Sequence, residues 1–397
     1  MGLFALAGAT AMLCVGSSIG TLVAGRLLQG LSAAVVWTVG LALLADTVGQ
    51  QGIGQVMGYV SLSISIGYLI APFLGGVVYQ KAGYYSVYYM AFALIVVDIF
   101  LRLVLVEKKV AEKWNKDSDA EHVPLPSSVS LQPSDTLAVT QPPLHEKSDG
   151  HPLTSATALS STRIQRSVLP PILTLLTSRR LLAALWGCMV QSSILTAFDS
   201  VLPLRVSALF GWSSTGAGLI FLALVVPSFI APVAGTISDK YGPRWLATAG
   251  FITACPFLVL LRLVDHDSLN QKVLLGALLA LIGISLTLVM TPLMAEITYV
   301  VEAKEKSNPG GYGEKGAYAQ AYGLFNTAFA GGTLIGPIWG GFVVARAGWE
   351  TMAWTLGLLS ALSAIPTMIW AGGFITNRHR DQARWNHKKK DDEATTA

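Results

Sequence analysis

The sequence predicts an all-α membrane protein built from two pseudo-symmetric helical bundles, and three observations indicate this fold class. The 397 residues are 52% hydrophobic and 13% charged, whereas about a quarter of the residues are charged in an ordinary soluble domain. The hydrophobic residues form runs of about 20 residues, which is long enough to cross a bilayer as helices. A pattern of glycines and one proline in the first half recurs in the second half.

Ten apolar runs are predicted to be transmembrane helices. They cover residues 2–18, 20–46, 54–79, 86–106, 181–206, 213–236, 245–264, 271–299, 317–345 and 350–374. The first two runs are separated by the short sequence Gly-Ser-Ser-Ile-Gly at residues 16–20.

A polar segment divides these runs into two groups. Residues 107–178 are rich in Ser, Thr, Pro and charge, and such a segment buries too little apolar surface to order itself. We therefore expect an incomplete N-terminal bundle of four helices at 1–106 and a disordered linker at 107–178. A C-terminal bundle of six helices at 179–375 and a basic tail at 376–397 follow.

The positive charges predict the orientation in the membrane. Twenty of the 27 Lys and Arg residues lie on the side of the linker, and five lie on the other side. Positively charged loops stay in the cytoplasm, so the linker and both termini are expected there. The loop at 47–53 should also be cytoplasmic, although it carries no Lys or Arg.

Several classes of function receive no support from the sequence. Cys14, Cys188 and Cys255 lie in apolar runs without CxxC spacing, so neither disulfides nor a metal site are expected. Most of the net charge of +4 falls in loops and the tail, which argues against a nucleic-acid partner. No nucleotide loop or nucleophile–base set is present, so the chain is not expected to be an enzyme or to need a cofactor.

The duplicated pattern is the most specific signal in the sequence, because every element is displaced by 265 positions. The first copy consists of Gly58, Gly67, Ala71, Pro72, Gly75 and Gly76, and the second of Gly323, Gly332, Gly336, Pro337, Gly340 and Gly341. The same register continues from residues 81–84 into residues 346–349. Glycines at this spacing form a smooth helix face that lets a neighbouring backbone approach closely.

The repeat also predicts which spans are equivalent. If the third span pairs with the ninth, the first pairs with the seventh, the second with the eighth and the fourth with the tenth. The fifth and sixth spans are left without counterparts. A 6+6 plan would need two further helices ahead of Met1, so we expect an N-terminally truncated chain.

Two further motifs identify a family. Arg26, Gln29 and Gly30 follow the pattern Arg, two residues, Gln-Gly, and residues 235–244 read Gly-Thr-Ile-Ser-Asp-Lys-Tyr-Gly-Pro-Arg. With the glycine helices, these motifs resemble the major facilitator superfamily, specifically its twelve-span drug:proton antiporters and a fungal branch similar to vesicular amine transporters. The resemblance implies the major facilitator fold and proton-coupled efflux by alternating access. It also implies a cytoplasmic latch formed by Gly235, Asp239, Lys240, Gly242 and Arg244.

Polar residues inside the apolar runs are candidates for function, because an ionisable side chain in a bilayer is costly unless it faces a cavity or a partner. The substrate or proton candidates are Asp199, Glu296, Arg26, Gln29 and Asp46.

Each of these charged residues also has a structural alternative. Asp199 could instead be an interfacial carboxylate paired with Arg205, and Arg26 could extend to the outer interface. An interfacial acid is the alternative for Glu296 and the favoured interpretation of Asp46.

Asp98 and Arg102 lie four residues apart on one predicted helix. Opposite charges at this spacing can pair across one helical turn, which lowers the cost of burying both. A structural pair is therefore favoured over a functional one.

The expected function is proton-coupled efflux of a drug or secondary metabolite by a monomer in the lipid bilayer. Its expected partners are the small-molecule substrate and protons. The plasma membrane is favoured over the vacuolar membrane. Alternatives are a uniporter or amine transporter, and an inactive or non-transporting fragment.

Overall fold

The computed structural model describes residues 2–49, 52–104, 171–307 and 317–372. Every regular element in this part of the chain is helical. The α-helices are α1 Gly2–Val15, α2 Ile19–Val48, α3 Ile53–Ala82, α4 Tyr84–Val104, α5 Pro171–Leu176, α6 Arg179–Phe210, α7 Ser214–Val225, α8 Ala231–Tyr241, α9 Pro243–Leu260, α10 Leu269–Ser307 and α11 Tyr318–Trp370. Short 3-10 turns at Val226–Ile230 and Leu261–Leu263 join α7 to α8 and extend α9.

Helix boundaries follow local chemistry. The hydroxyl of Ser18 accepts a hydrogen bond from the backbone N–H of Thr21 at the start of α2, and Ser178 caps α6 in the same way. Such caps satisfy N–H groups that have no partner within the helix. Gly49 and Gly211 end α2 and α6 with positive φ angles, which glycine adopts without steric cost.

Eight helices in the described part of the chain are long and apolar enough to cross a membrane, compared with the ten predicted. Gly2–Val15 has 14 residues and falls short of the roughly 20 that a bilayer requires. The ninth and tenth predicted spans lie on one 53-residue helix, α11, which is interrupted at Gly348. The structure therefore does not confirm ten spans.

The backbone repeats the turn that the sequence pattern predicted. Gly83 follows α3 with φ 84° and ψ −177°, and Gly348 interrupts α11 with φ 86° and ψ 171°. These two glycines are 265 positions apart. Because few other residues adopt this conformation, the shared geometry supports the equivalence of the two segments.

Contacts among the described residues place those from 2 to 99 and from 171 to 372 in one compact unit. The predicted N-terminal and C-terminal bundles thus share one unit. Most of the predicted linker and tail lie outside the described residues. Within the predicted linker, α5 is nevertheless helical and buries Leu175, because residues 171–176 are far more apolar than the rest of that segment.

Burial differs strongly between the two groups of helices. Most residues in the middle of α6 and α10 are buried, and α6 packs against both α10 and α11. By contrast, α4 has no buried residue, and α2 buries only four. The described core is therefore centred on the second half of the chain.

Candidate functional site

One end of the bundle contains the last residues of α2, α8 and α10 and the first residues of α3, α6 and α11. We call it the linker-side end. Asp239, near the end of α8, lies here against the beginning of α3. Its carboxylate accepts hydrogen bonds from the backbone N–H groups of Gly54 at 2.7 Å and Gln55 at 3.0 Å. These N–H groups belong to the first turn of a helix and have no partner within it, and the helix dipole also favours a negative charge there.

A third donor completes the surroundings of Asp239. The hydroxyl of Tyr299 on α10 donates to Asp239 Oδ1 at 2.7 Å. One carboxylate thus joins α8, α3 and α10. The sequence motif indicated Asp239, but no pattern indicated Tyr299, because a tyrosine near a helix end has many ordinary roles.

Glycines allow α3 and α8 to approach this closely. A Cβ atom at Gly235 would collide with the carbonyl of Gly54, and one at Gly58 would lie 2.5 Å from the carbonyl oxygen of Ala231. Any side chain at these positions would push the two backbones apart. Gly58 therefore packs closely against α8, whereas a Cβ atom at its equivalent Gly323 would be in ordinary van der Waals contact with Thr38, at 3.7 Å.

The other latch residues have separate partners. The Lys240 ammonium lies 5.3 Å from the ring centroid of Tyr241. Gly242 joins α8 to α9 with φ 89°. Arg244 is buried, and its Nε donates to the carbonyl of Ala371 at 2.5 Å, which is just beyond the end of α11.

Glu296 is fully buried on α10. Its Oε1 atom accepts from Arg180 Nε at 2.8 Å and from the backbone N–H of Gly372 at 2.7 Å. These contacts join α10 to the beginning of α6 and to the end of α11, all within the second half. The interfacial alternative for Glu296 fits its position, although the side chain is shielded from solvent.

A polar seam joins the two halves at the linker-side end. Thr291 on α10 donates to Ser61 on α3, with 3.3 Å between the two oxygens. Asn326 on α11 contacts the carbonyl of Ala34 on α2 at 3.5 Å. Ser61 and Asn326 are 265 positions apart, so equivalent residues make reciprocal contacts with the predicted counterparts α10 and α2.

Two equivalent residues also touch each other. Tyr322 OH lies 3.8 Å from Met57 Sδ, and this pair is separated by 265 positions. Both side chains are fully buried, and Tyr322 also hydrogen-bonds Thr298 at 2.7 Å. Residues related by a twofold axis can meet only near that axis, so this contact locates the centre of the seam. Positions 57 and 322 carry different residue types, so the sequence repeat did not indicate this pair.

Asp199 stands apart from this end of the bundle. It is exposed on α6. Arg205 donates instead to the carbonyl of Val264 at 2.6 Å and lies 5.5 Å from the ring centroid of Trp349. The structure therefore does not support the alternative in which Arg205 pairs with Asp199.

The remaining charged candidates are not brought together. Arg26 is exposed on α2 and donates to Gln29 at 3.0 Å, so the two motif residues contact each other. Asp46 is exposed near the end of α2, as expected for an interfacial acid. Asp98 and Arg102 share α4, and their mutual pairing stays a prediction.

Comparisons with known proteins agree with this architecture. The profile of the Major Facilitator Superfamily matches residues 1–312. The chain is 33% identical over 384 residues to the MFS-type transporter ppzB of Metarhizium majus (strain ARSEF 297), covering 94% of this chain and 83% of that protein. It is 24% identical over 376 residues to the vesicular acetylcholine transporter of Drosophila melanogaster, covering 93% of this chain and 54% of that protein.

A solved structure shows the same fold. The crystal structure of the human organic anion transporter MFSD10 (TETRAN) aligns with a TM-score of 0.61 at 17% identity, covering 92% of this chain and 75% of that one. Together with the match of the family profile to most of the sequence, the helical fold and its seam lead to one conclusion. The chain belongs to the Major Facilitator Superfamily and is a multi-pass membrane transporter of that type.

Proposed function

We propose that this transporter moves a small organic molecule by alternating access, with proton exchange driving efflux. The observation that carries the proposal is the seam, in which α3 contacts α8 and α10 while α2 contacts α11. These contacts hold the two halves together at the linker-side end. A substrate can pass that end only if the contacts break, so the seam has the position of a gate.

Asp199 supports proton or cation exchange. It is an exposed carboxylate within a membrane-spanning helix, where an ionisable group is retained at a cost. A carboxylate can bind either a proton or the ammonium group of an amine, so binding of one would release the other. Arg26 stays charged at any accessible pH and is the cationic candidate on the other half.

The substrate class follows from the same residue. Amine transport is the favoured form of the proposal because a carboxylate inside a membrane-spanning helix can pair with the ammonium group of an amine. The vesicular acetylcholine transporter among the relatives is consistent with this class. Efflux of a neutral drug or metabolite from the cell through the plasma membrane is the broader alternative.

A second candidate is a membrane protein that does not transport. The specific observation in its favour is the low burial of α2 and α4, which leaves the first half with few internal contacts among the described residues. Counterflow measurements in proteoliposomes separate the two candidates. A chain that exchanges no substrate across a metabolite and amine panel, with or without a pH gradient, would favour the second.

The gate is tested by a reversible cross-link. In a chain whose native cysteines are replaced, Ser61→Cys and Thr291→Cys place two thiols where hydroxyl oxygens are now 3.3 Å apart. We expect oxidation to stop transport and reduction to restore it, because the disulfide holds α3 to α10.

The matched control uses Thr253→Cys and Ser285→Cys, whose native oxygens are 3.0 Å apart. These residues join α9 to α10 within the second half, so we expect that forming their disulfide does not stop transport. If the cross-seam disulfide forms and transport continues, the seam does not open during the cycle and the gate proposal fails.

A further inference from the structure

The short helix α5 presents apolar side chains that the described part of the chain does not cover. Ile172 and Leu173 are exposed, whereas Leu175 is fully buried. We propose that the two exposed side chains insert into the lipid leaflet at the linker-side end, where Arg179 binds the phosphates of anionic headgroups. The inference concerns attachment to the membrane surface and does not depend on the proposed transport.

Contacts with three other helices hold α5 in place. It packs against α6 and α11, and Leu175 belongs to the hydrophobic core. The ammonium group of Lys304, near the end of α10, donates to the carbonyl of Thr174 and lies 3.5 Å from the Thr177 hydroxyl. A helix of six residues is unstable by itself, so these contacts determine which of its side chains face outward.

The position of α5 places it beside the bilayer. Only Thr177 and Ser178 separate it from α6, which is long and apolar enough to cross a membrane. Ser178 has the extended conformation, with φ −80° and ψ 111°, so α5 turns away from the axis of α6. Leu182, in the first turn of α6, is again exposed. Because exposed apolar residues of a spanning helix face lipid, α5 lies at the level where lipid contact begins.

The charges next to α5 favour an anionic surface over other occupants. Arg179 is exposed, and twenty of the 27 Lys and Arg residues lie on this side. Anionic lipids attract basic residues beside the membrane, and an Arg stem can lie along apolar surface while its guanidinium reaches the phosphates. A second copy of the chain would instead bring like charges together.

Depth measurements with nitroxide labels on the full chain test the proposal. In a cysteine-free background, labels are placed through Ile172→Cys or Leu173→Cys. The purified protein is inserted into vesicles of phosphatidylcholine, alone or mixed in equal parts with phosphatidylglycerol. The accessibilities of each label to oxygen and to a water-soluble nickel chelate give its depth. In the mixed vesicles we expect both labels about 5–10 Å into the boundary between headgroups and acyl chains.

Two further labels provide the references, and one variant tests the charge. Lys306→Cys labels a largely exposed position at the end of α10 and should report water. Leu358→Cys labels an exposed position in the second part of α11 and should report hydrocarbon. We expect the labels on α5 to lie deeper in the mixed vesicles than in pure phosphatidylcholine. Arg179→Gln should remove this difference.

Three results would overturn the proposal. Labels on α5 that are as accessible to the nickel chelate as position 306 mean that α5 lies in water. Labels that neither oxygen nor the chelate reaches mean that protein covers the helix, from the linker or from a second copy. Equal depths in both kinds of vesicle mean that Arg179 binds no anionic headgroup.

Discussion

Two acidic residues in membrane-spanning helices, Asp199 and Glu296, occupy contrasting surroundings. Asp199 is exposed on α6, whereas Glu296 is fully buried and accepts from Arg180 and Gly372. Removing one partner of a buried ion pair is strongly destabilising, because the other charge is left buried without compensation. Asp199 has no such cationic partner within the part of the chain that the structure describes, which leaves its carboxylate available to a ligand.

For Asp199 we expect an effect on coupling rather than on folding. Asp199→Asn keeps the size of the side chain but removes its exchangeable charge, so stimulation of counterflow by an imposed pH gradient should be lost. The thermal midpoint should stay within the range of the unmodified protein. Gradient-driven transport at the original level in Asp199→Asn would exclude this carboxylate from proton exchange.

For Glu296 we expect a loss of stability. Glu296→Ala leaves the Arg180 guanidinium and the Gly372 N–H without their acceptor, at a cost of about 3 kcal/mol. The control is Glu302→Ala, which removes a 2.9 Å pair with the largely exposed Lys306 and should cost less than about 1 kcal/mol. Thermal unfolding in detergent compares the two, and equal midpoints would contradict a structural role for Glu296.

At the scale of helices, the beginning of α3 is held by both shape and charge. Gly54 and Gly235 let α3 and α8 meet without side chains between them, and Asp239 then reaches two N–H groups of the first turn of α3. The latch motif in the sequence indicated the acid but not its partner. That partner lies about 185 residues earlier in the chain, a distance at which local patterns carry no information.

Asp239→Asn tests this contact. The amide retains a single acceptor oxygen and no charge, so the closed arrangement should lose about 1–2 kcal/mol and the open population should rise about tenfold. We expect correspondingly faster labelling of Ser61→Cys by a water-soluble thiol reagent. Asp267→Asn, which removes a 2.8 Å pair with Lys272, is the control, and equal labelling rates in both variants would show that Asp239 does not hold the gate.

At the scale of the whole molecule, the repeat relates the two halves through the seam. The pairs Ser61–Asn326 and Met57–Tyr322 share the displacement of 265 positions, and the first makes reciprocal contacts while the second meets directly. A pseudo-twofold arrangement explains both features.

The orientation of the molecule gives a further prediction. Because twenty of the 27 Lys and Arg residues lie on the linker side, that side should face the cytoplasm. A protease site inserted at residues 140–145 should be cut only when protease is present in the cytoplasm. The same site inserted at residues 265–268 should be cut only from the opposite side, and the reverse pattern would show that the orientation is inverted.

The sequence by itself determined the helical membrane class, the family resemblance and the internal repeat, because hydrophobic run length and glycine spacing are local properties of the chain. It also indicated Asp239 and the close-packed Gly58. Only the tertiary structure decided that Glu296 is enclosed by Arg180 and Gly372, that Tyr299 joins the latch, and that Met57 meets Tyr322. These contacts join residues on different helices, and helix packing rather than sequence spacing sets which of them meet.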